Sequence, residues 1–102
     1  MIRILLACGT GASSGFVAQS MRKAAKTIGI EVSIKAASDT EIQEYADSID
    51  LLLIGPHLKH RFSEIENSIK NYPIKAMLIN QDHYAILDGK AVLEDALQLL
   101  KI

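Results

Sequence analysis

The chain is expected to fold as an α/β domain: a four-stranded parallel sheet in the order 2-1-3-4 with helices on both faces. Three observations predict it. Strand-like and helix-like segments alternate four times along 102 residues, and Leu51-Leu52-Leu53-Ile54 runs without a polar break, as a strand buried on both faces does. A small-residue turn, Cys8-Gly9-Thr10-Gly11-Ala12-Ser13-Ser14-Gly15, follows the first strand directly.

The first strand is read from Ile2 to Ala7. Phe16, Val17, Met21, Ala24, Ala25 and Ile28 then recur at helical spacing, which assigns them to one apolar face, with Phe16 and Met21 taken as core. Gly29 supplies the stop. Ile30 to Ala36 alternates apolar and polar residues, the pattern of a sheet-edge strand with one wet face. Ser38 and Glu41 have the spacing of a capping box, and Ile42, Tyr45 and Ala46 stripe the short helix beyond it. Asp50 marks the turn into the central strand, and Gly55-Pro56 ends that strand.

From Phe62, the positions Ile65 and Ile69 continue a helical stripe that closes at Tyr72-Pro73. Ile74 to Ile79 is the fourth strand. A polar loop is expected from Asn80 to Asp88, and Gly89 stands at the entrance of a last helix whose apolar face is Val92, Leu93, Ala96, Leu97, Leu99 and Leu100. Right-handed crossovers covering both faces put the second strand outside the first, so the chain reverses direction between strands one and three. In open α/β sheets the ligand crevice lies there, beyond the carboxyl ends of the strands. Cys8 and Gly55-Pro56 both fall at that point.

Composition narrows the function. A length of 102 residues at 49% hydrophobic content suits one domain spanning residues 1–102. The balance of 11 basic against 12 acidic residues gives net −1, which lacks the field that drives binding to nucleic acid or an anionic membrane. Partners are therefore expected to be proteins or small molecules. One cysteine forms no internal disulfide, and an exposed free thiol fits a reducing, cytoplasmic setting. Apolar runs are far shorter than the roughly 20 residues of a spanning helix, and no signal peptide is expected before Ile2.

The lone cysteine is the sharpest chemical feature. A buried structural thiol is the usual fate of such a residue. Here three glycines and three hydroxyl residues occupy the next seven positions, which keeps side chains small and backbone N–H groups accessible. A glycine-rich turn feeding a helix N-terminus offers donors and partial positive charge to a phosphate, and the same field favours the thiolate. The turn has no Gly-Lys-Ser/Thr ending, and Ser14 stands where a dinucleotide fingerprint needs glycine, so a magnesium-nucleotide or dinucleotide site is not predicted. No metal or cofactor is expected.

The strand leading into Cys8-Gly9-Thr10-Gly11-Ala12-Ser13-Ser14, the third strand leading into Gly55-Pro56-His57-Leu58, and the stretch from Tyr84 to Leu93 with Asp88-Gly89-Lys90 together resemble the IIB components of the sugar phosphotransferase system, lactose/cellobiose type. The resemblance covers essentially the whole chain. It implies a cytosolic phosphotransferase in which Cys8 accepts a phosphoryl group from a histidine of the IIA component. The group then passes to a sugar held by the membrane IIC component. It further implies that Gly9, Thr10, Gly11, Ala12, Ser13, Ser14 and Gly15 bind the phosphate. Gly9, Thr10, Ala12 and His57 depart from the residues common in the family, and the Gly-Thr-Gly form is also similar to galactitol-type loops, so the sugar subgroup stays open.

Low-molecular-weight cysteine phosphatases share this layout, including a late-loop aspartate that Asp82 resembles, but their loop reads Cys-x5-Arg. Ser14 occupies the arginine position here, which removes the bidentate clamp on the phosphate oxygens. A small non-catalytic interaction module is the remaining alternative. His57, Lys59 and Arg61 are candidates for partner docking after the third strand, against the plainer reading that the run Lys59-His60-Arg61 is a solvated helix start. His57, His60 and His83 lack a metal-site spacing and are read as surface histidines. Thr10, Ser13 and Ser14 are suited both to phosphate contact and to capping the first helix. Tyr84 is suited to closing over the site or to packing beneath the last helix, and the second reading is preferred.

Overall fold

A computed structural model describes residues 2–8, 12–86 and 88–100. Its sheet has the order β2-β1-β3-β4, all pairs parallel, as the alternation predicts. β1 is Ile2–Cys8, α1 is Ala12–Ile28 and β2 is Val32–Ser38. α2, Ile42–Tyr45, is a single turn framed by 3-10 helices at Asp39–Glu41 and Ala46–Ser48. β3 is Leu51–Ile54; a 3-10 helix at Pro56–Arg61 leads into α3, Phe62–Ser68. β4 is Lys75–Leu78, α4 is Gln81–Ala85 and α5 is Gly89–Leu100.

β1 and β3 are the inner strands, and their side chains alternate between two cores. Ile4, Leu6, Leu51 and Leu53 join Val17, Met21, Ala25, Val92, Leu93 and Ala96, so α1 and α5 cover that face. Leu5, Ala7, Leu52 and Ile54 pack with Ile42, Leu58, Ile65 and Ile69 beneath the short helices of the other. All four β3 side chains are fully buried, which is why this strand carries no polar residue. Gly29 ends α1 with φ 76°, a backbone setting that costs glycine little.

Three expectations need correction. β2 begins at Val32 and runs to Ser38, two residues later than Ile30 to Ala36 at each end, because Ser38 both completes the ladder opposite Cys8 and opens the following turn. The segment read as a polar loop contains α4, started by Asn80, whose side-chain oxygen accepts from the N–H groups of Asp82 and His83 at 2.9 and 3.2 Å. Phe16 is not core: it is 64% exposed, whereas Met21 is fully buried. α5 begins level with Ser20, whose hydroxyl accepts from Gly89 N–H at 3.2 Å. One helical turn earlier, Phe16 has no α5 beside it.

Polar ties complete the frame. The predicted capping box is present: Ser38 accepts from Thr40 N–H at 3.3 Å and Glu41 accepts from Ser38 N–H at 3.1 Å. Ile2 N–H donates to the Glu31 carbonyl, so odd-numbered residues of β2 address β1 and even-numbered ones face the free edge. There the Arg22 guanidinium covers the Ile34 carbonyl, with Nε at 3.0 Å, which blunts the edge against pairing with another chain. Before β3, Asp50 accepts from Arg3 through the backbone N–H at 2.9 Å, Nε at 3.2 Å and Nη2 at 3.0 Å. The hydrogen bonds from Arg3 hold the Asp50 carboxyl below its ordinary range and keep the guanidinium more firmly protonated.

Candidate functional site

Cys8 is the last residue of β1 and stands in register with Ser38 at the end of β2. On its other side, Gly55 N–H donates to the Ala7 carbonyl at 2.9 Å, so the chain leaving β3 departs beside the end of β1. The reversal of strand order therefore brings the segments after β1, β2 and β3 to one place. This is the crevice position that parallel topology prescribes.

α1 rises from that place. Of the expected phosphate-binding residues, Gly9 to Gly15, the last four, Ala12 to Gly15, form the first turn of α1. Gly9, Thr10 and Gly11 lie outside the described residues, as do the side chains of Cys8, Ala12, Ser13 and Ser14. Gly15 is exposed, and a Cβ there would meet nothing within 4 Å. The first turn of a helix carries N–H groups without intrahelical partners, and 17 aligned residues add their dipole. No acidic residue stands in that turn to neutralise it.

The loop after β3 is a 3-10 helix started by Pro56, with Leu58 buried beneath it. His57 is exposed and its ring lies 6.0 Å from that of Tyr84, tilted by 52°, which joins this loop to α4. Tyr84 packs against the α1/α5 core as expected. Lys59 and His60 face solvent, but Arg61 does not belong with them. Its guanidinium is paired with the nearly buried Asp39 carboxylate and lies 3.6 Å from Glu64. Sequence reading missed this pair because its members are 22 residues apart and neither sits in a motif.

His83 is likewise engaged, its Nδ1 2.9 Å from an Asp95 oxygen on α5. Asp82 is exposed on the first turn of α4. Among the described residues no group of three histidine, cysteine, aspartate or glutamate side chains is placed to hold a metal ion. Among the same described residues no helix is long and apolar enough to cross a membrane. Phe16 and Ile86 are exposed to 64% and 72%; the first stands near the start of α1 and the second just after α4, on segments that follow the carboxyl ends of β1 and β4.

A four-stranded parallel sheet in the order β2-β1-β3-β4, with a cysteine closing β1 ahead of a long helix, defines an open α/β class. The family model for the lactose/cellobiose-specific IIB subunit of the phosphotransferase system (PTS) matches residues 3–95, and the chain belongs to that family. It is 34% identical over 100 residues to the oligo-beta-mannoside-specific EIIB component of the PTS in Bacillus subtilis (strain 168), covering 98% of this chain and 97% of the relative. The solution structure of a cellobiose-specific IIB component from Borrelia burgdorferi is 31% identical, with TM-score 0.77 over 95% of this chain and 89% of that one. The lactose-specific IIB domain from Streptococcus pneumoniae reaches TM-score 0.85 at 15% identity, covering 95% of each chain. The same fold extends to the arginine phosphatase YwlE, solved as a mutant with a phosphorylated active-site serine, at TM-score 0.64 and 15% identity over 99% of this chain and 96% of that one. The chain is thus a sugar-specific PTS component of a phosphotransferase family, on the core that the low-molecular-weight phosphatases also use.

Proposed function

We propose that the chain is a phosphoryl carrier in which Cys8 is the acceptor. The observation that carries this reading is the placement of Cys8 at the end of β1, between Ser38 and the start of the loop after β3, four positions ahead of the first residue of a 17-residue helix. In the first transfer the Cys8 thiolate attacks the phosphorus of a phosphohistidine on the IIA component. The N–P bond breaks, an S–P bond forms, and the imidazole nitrogen leaves with its electron pair. In the second, a hydroxyl oxygen of a sugar held by the membrane IIC component attacks phosphorus, the S–P bond breaks and the thiolate returns. The hydroxyl proton passes to a base on the acceptor side.

Phosphoryl transfer depends on positioning and charge stabilisation more than on covalent assistance from the protein. The segment from Gly9 to Gly15, with its N–H groups and the α1 dipole, supplies both functions. Ser14 in place of an arginine leaves the phosphocysteine without a bidentate clamp, which suits a group held until an acceptor arrives rather than hydrolysed. A donor that reaches Cys8 covers the segments following β1, β3 and β4, where Phe16 and Ile86 offer exposed apolar area. His57 and Lys59 stand on the same side as docking contacts. The work is done in the cytoplasm, against the membrane component.

The test is incubation with phosphorylated IIA followed by intact-mass measurement. Gain of one phosphoryl group by the wild-type chain and none by Cys8→Ala is the expected result. Alanine is chosen because serine keeps a nucleophilic oxygen. Equal labelling of Cys8→Ala overturns the assignment, and steady turnover of an aryl phosphate without IIA establishes a phosphatase instead.

A further inference from the structure

Two acidic residues follow the strand end that pairs with Cys8. Asp39 and Glu41 follow Ser38, and Ser38 is in register with Cys8. One strand spacing plus one Cα step puts the Asp39 Cα within about 9 Å of the Cys8 Cα. Asp39 is not a solvated charge: its side chain is only 9% exposed, with Oδ1 accepting from the Ser38 hydroxyl at 3.3 Å and Oδ2 from Arg61. Charges this close to a low-dielectric interior are weakly screened, so an unpaired Asp39 opposes arrival of a phosphate carrying almost two negative charges.

Arg61 removes that opposition. It comes from the far side of the site, at the end of the 3-10 helix after β3, and reaches the segment after β2, with Glu64 as its second and more exposed partner. We propose that Arg61 is a positioning residue for phosphoryl transfer, acting through Asp39: it neutralises the carboxylate next to Cys8 and ties together the segments after β2 and β3 on either side of it. The proposal rests on Cys8 being the phosphoryl acceptor. Arg61 touches neither phosphate nor partner in this role, which separates it from docking.

The experiment compares wild type, Arg61→Ala, Asp39→Asn and the double variant in rapid-quench transfer from phosphorylated IIA, at low and high salt. Thermal melts confirm that each variant is folded at the assay temperature. Arg61→Ala is expected to lower the maximal transfer rate about tenfold, with the apparent KM for phospho-IIA unchanged, and the deficit is expected to persist at high salt, because the Asp39 charge is weakly screened; a tenfold change corresponds to about 1.4 kcal/mol in the barrier. Asp39→Asn is expected to transfer at or above the wild-type rate, and the double variant to recover to within about threefold of wild type. Equal rates in wild type and Arg61→Ala overturn the proposal. A double variant as slow as Arg61→Ala also overturns it, since Arg61 then acts on the phosphate or partner directly. A raised KM at unchanged maximal rate assigns Arg61 to docking instead. No phosphoryl uptake by wild type overturns the reading of Cys8 together with this one.

Discussion

The two faces of the sheet are built by different means. One is covered by α1 and α5, 17 and 12 residues long, which bury a continuous apolar core and meet at close range. The other is covered by helices of 4 and 7 residues joined through 3-10 segments. Helices that short are not stable on apolar stripes alone, so this face relies on polar ties: the Ser38/Glu41 capping box, Arg61 with Asp39, and Gln43 Nε2 donating to the Ser68 carbonyl at 3.3 Å. The long-helix face supplies stability and the α1 N-terminus. The short-helix face carries the Arg61–Asp39 pair, whose Asp39 follows the strand end paired with Cys8.

Substitutions can break that contrast. Met21→Ala, which opens a cavity in the long-helix core, is expected to cost about 4 kcal/mol, read as a lower denaturant midpoint at unchanged slope. Gly89→Ala is expected to cost about 3 kcal/mol, because a Cβ there would lie 2.4 Å from Met21 N and 2.5 Å from Ser20 Cβ, forcing α1 and α5 apart. A melting temperature equal to wild type for Gly89→Ala would show that the two helices separate freely. On the short-helix face, Ser38→Ala removes a single cap and is expected to cost about 1 kcal/mol, with faster amide exchange confined to the turns from Asp39 to Ser48.

The smallest effect belongs to the exposed Arg3–Asp50 pair. Arg3 holds the Asp50 carboxyl below its usual range, so the contribution of this pair is present above the unfolded value of 3.8 and is lost as pH falls through the lower folded value. Asp50→Asn is therefore expected to leave a slight deficit at neutral pH that vanishes in acid. An equal deficit at both ends of a thermal-melt pH series would assign the loss to the uncharged hydrogen bonds instead.

Much of the fold was legible because its signals are local. Gly29, the Ser38/Glu41 spacing and the unbroken Leu51 to Ile54 run each act over a few residues and appear where expected. α4 was missed because five residues are too few for a helical period, although Asn80 carried the capping signal. Phe16 shares the stripe of Met21, yet exposure depends on where α5 begins, and that is decided by Gly89 meeting Ser20 from 69 positions away.

Residue order alone determined the strand sequence, the strand-end position of Cys8 and the start of a long helix soon after it, because hydrophobic period and glycine placement act along the chain. Only the tertiary structure decided the rest: that Ser38 stands opposite Cys8, that Arg61 is drawn from its basic run to Asp39, and that Phe16 stays in water. Each is settled by which segments the sheet brings side by side, since burial and charge pairing depend on distance through space rather than along the backbone.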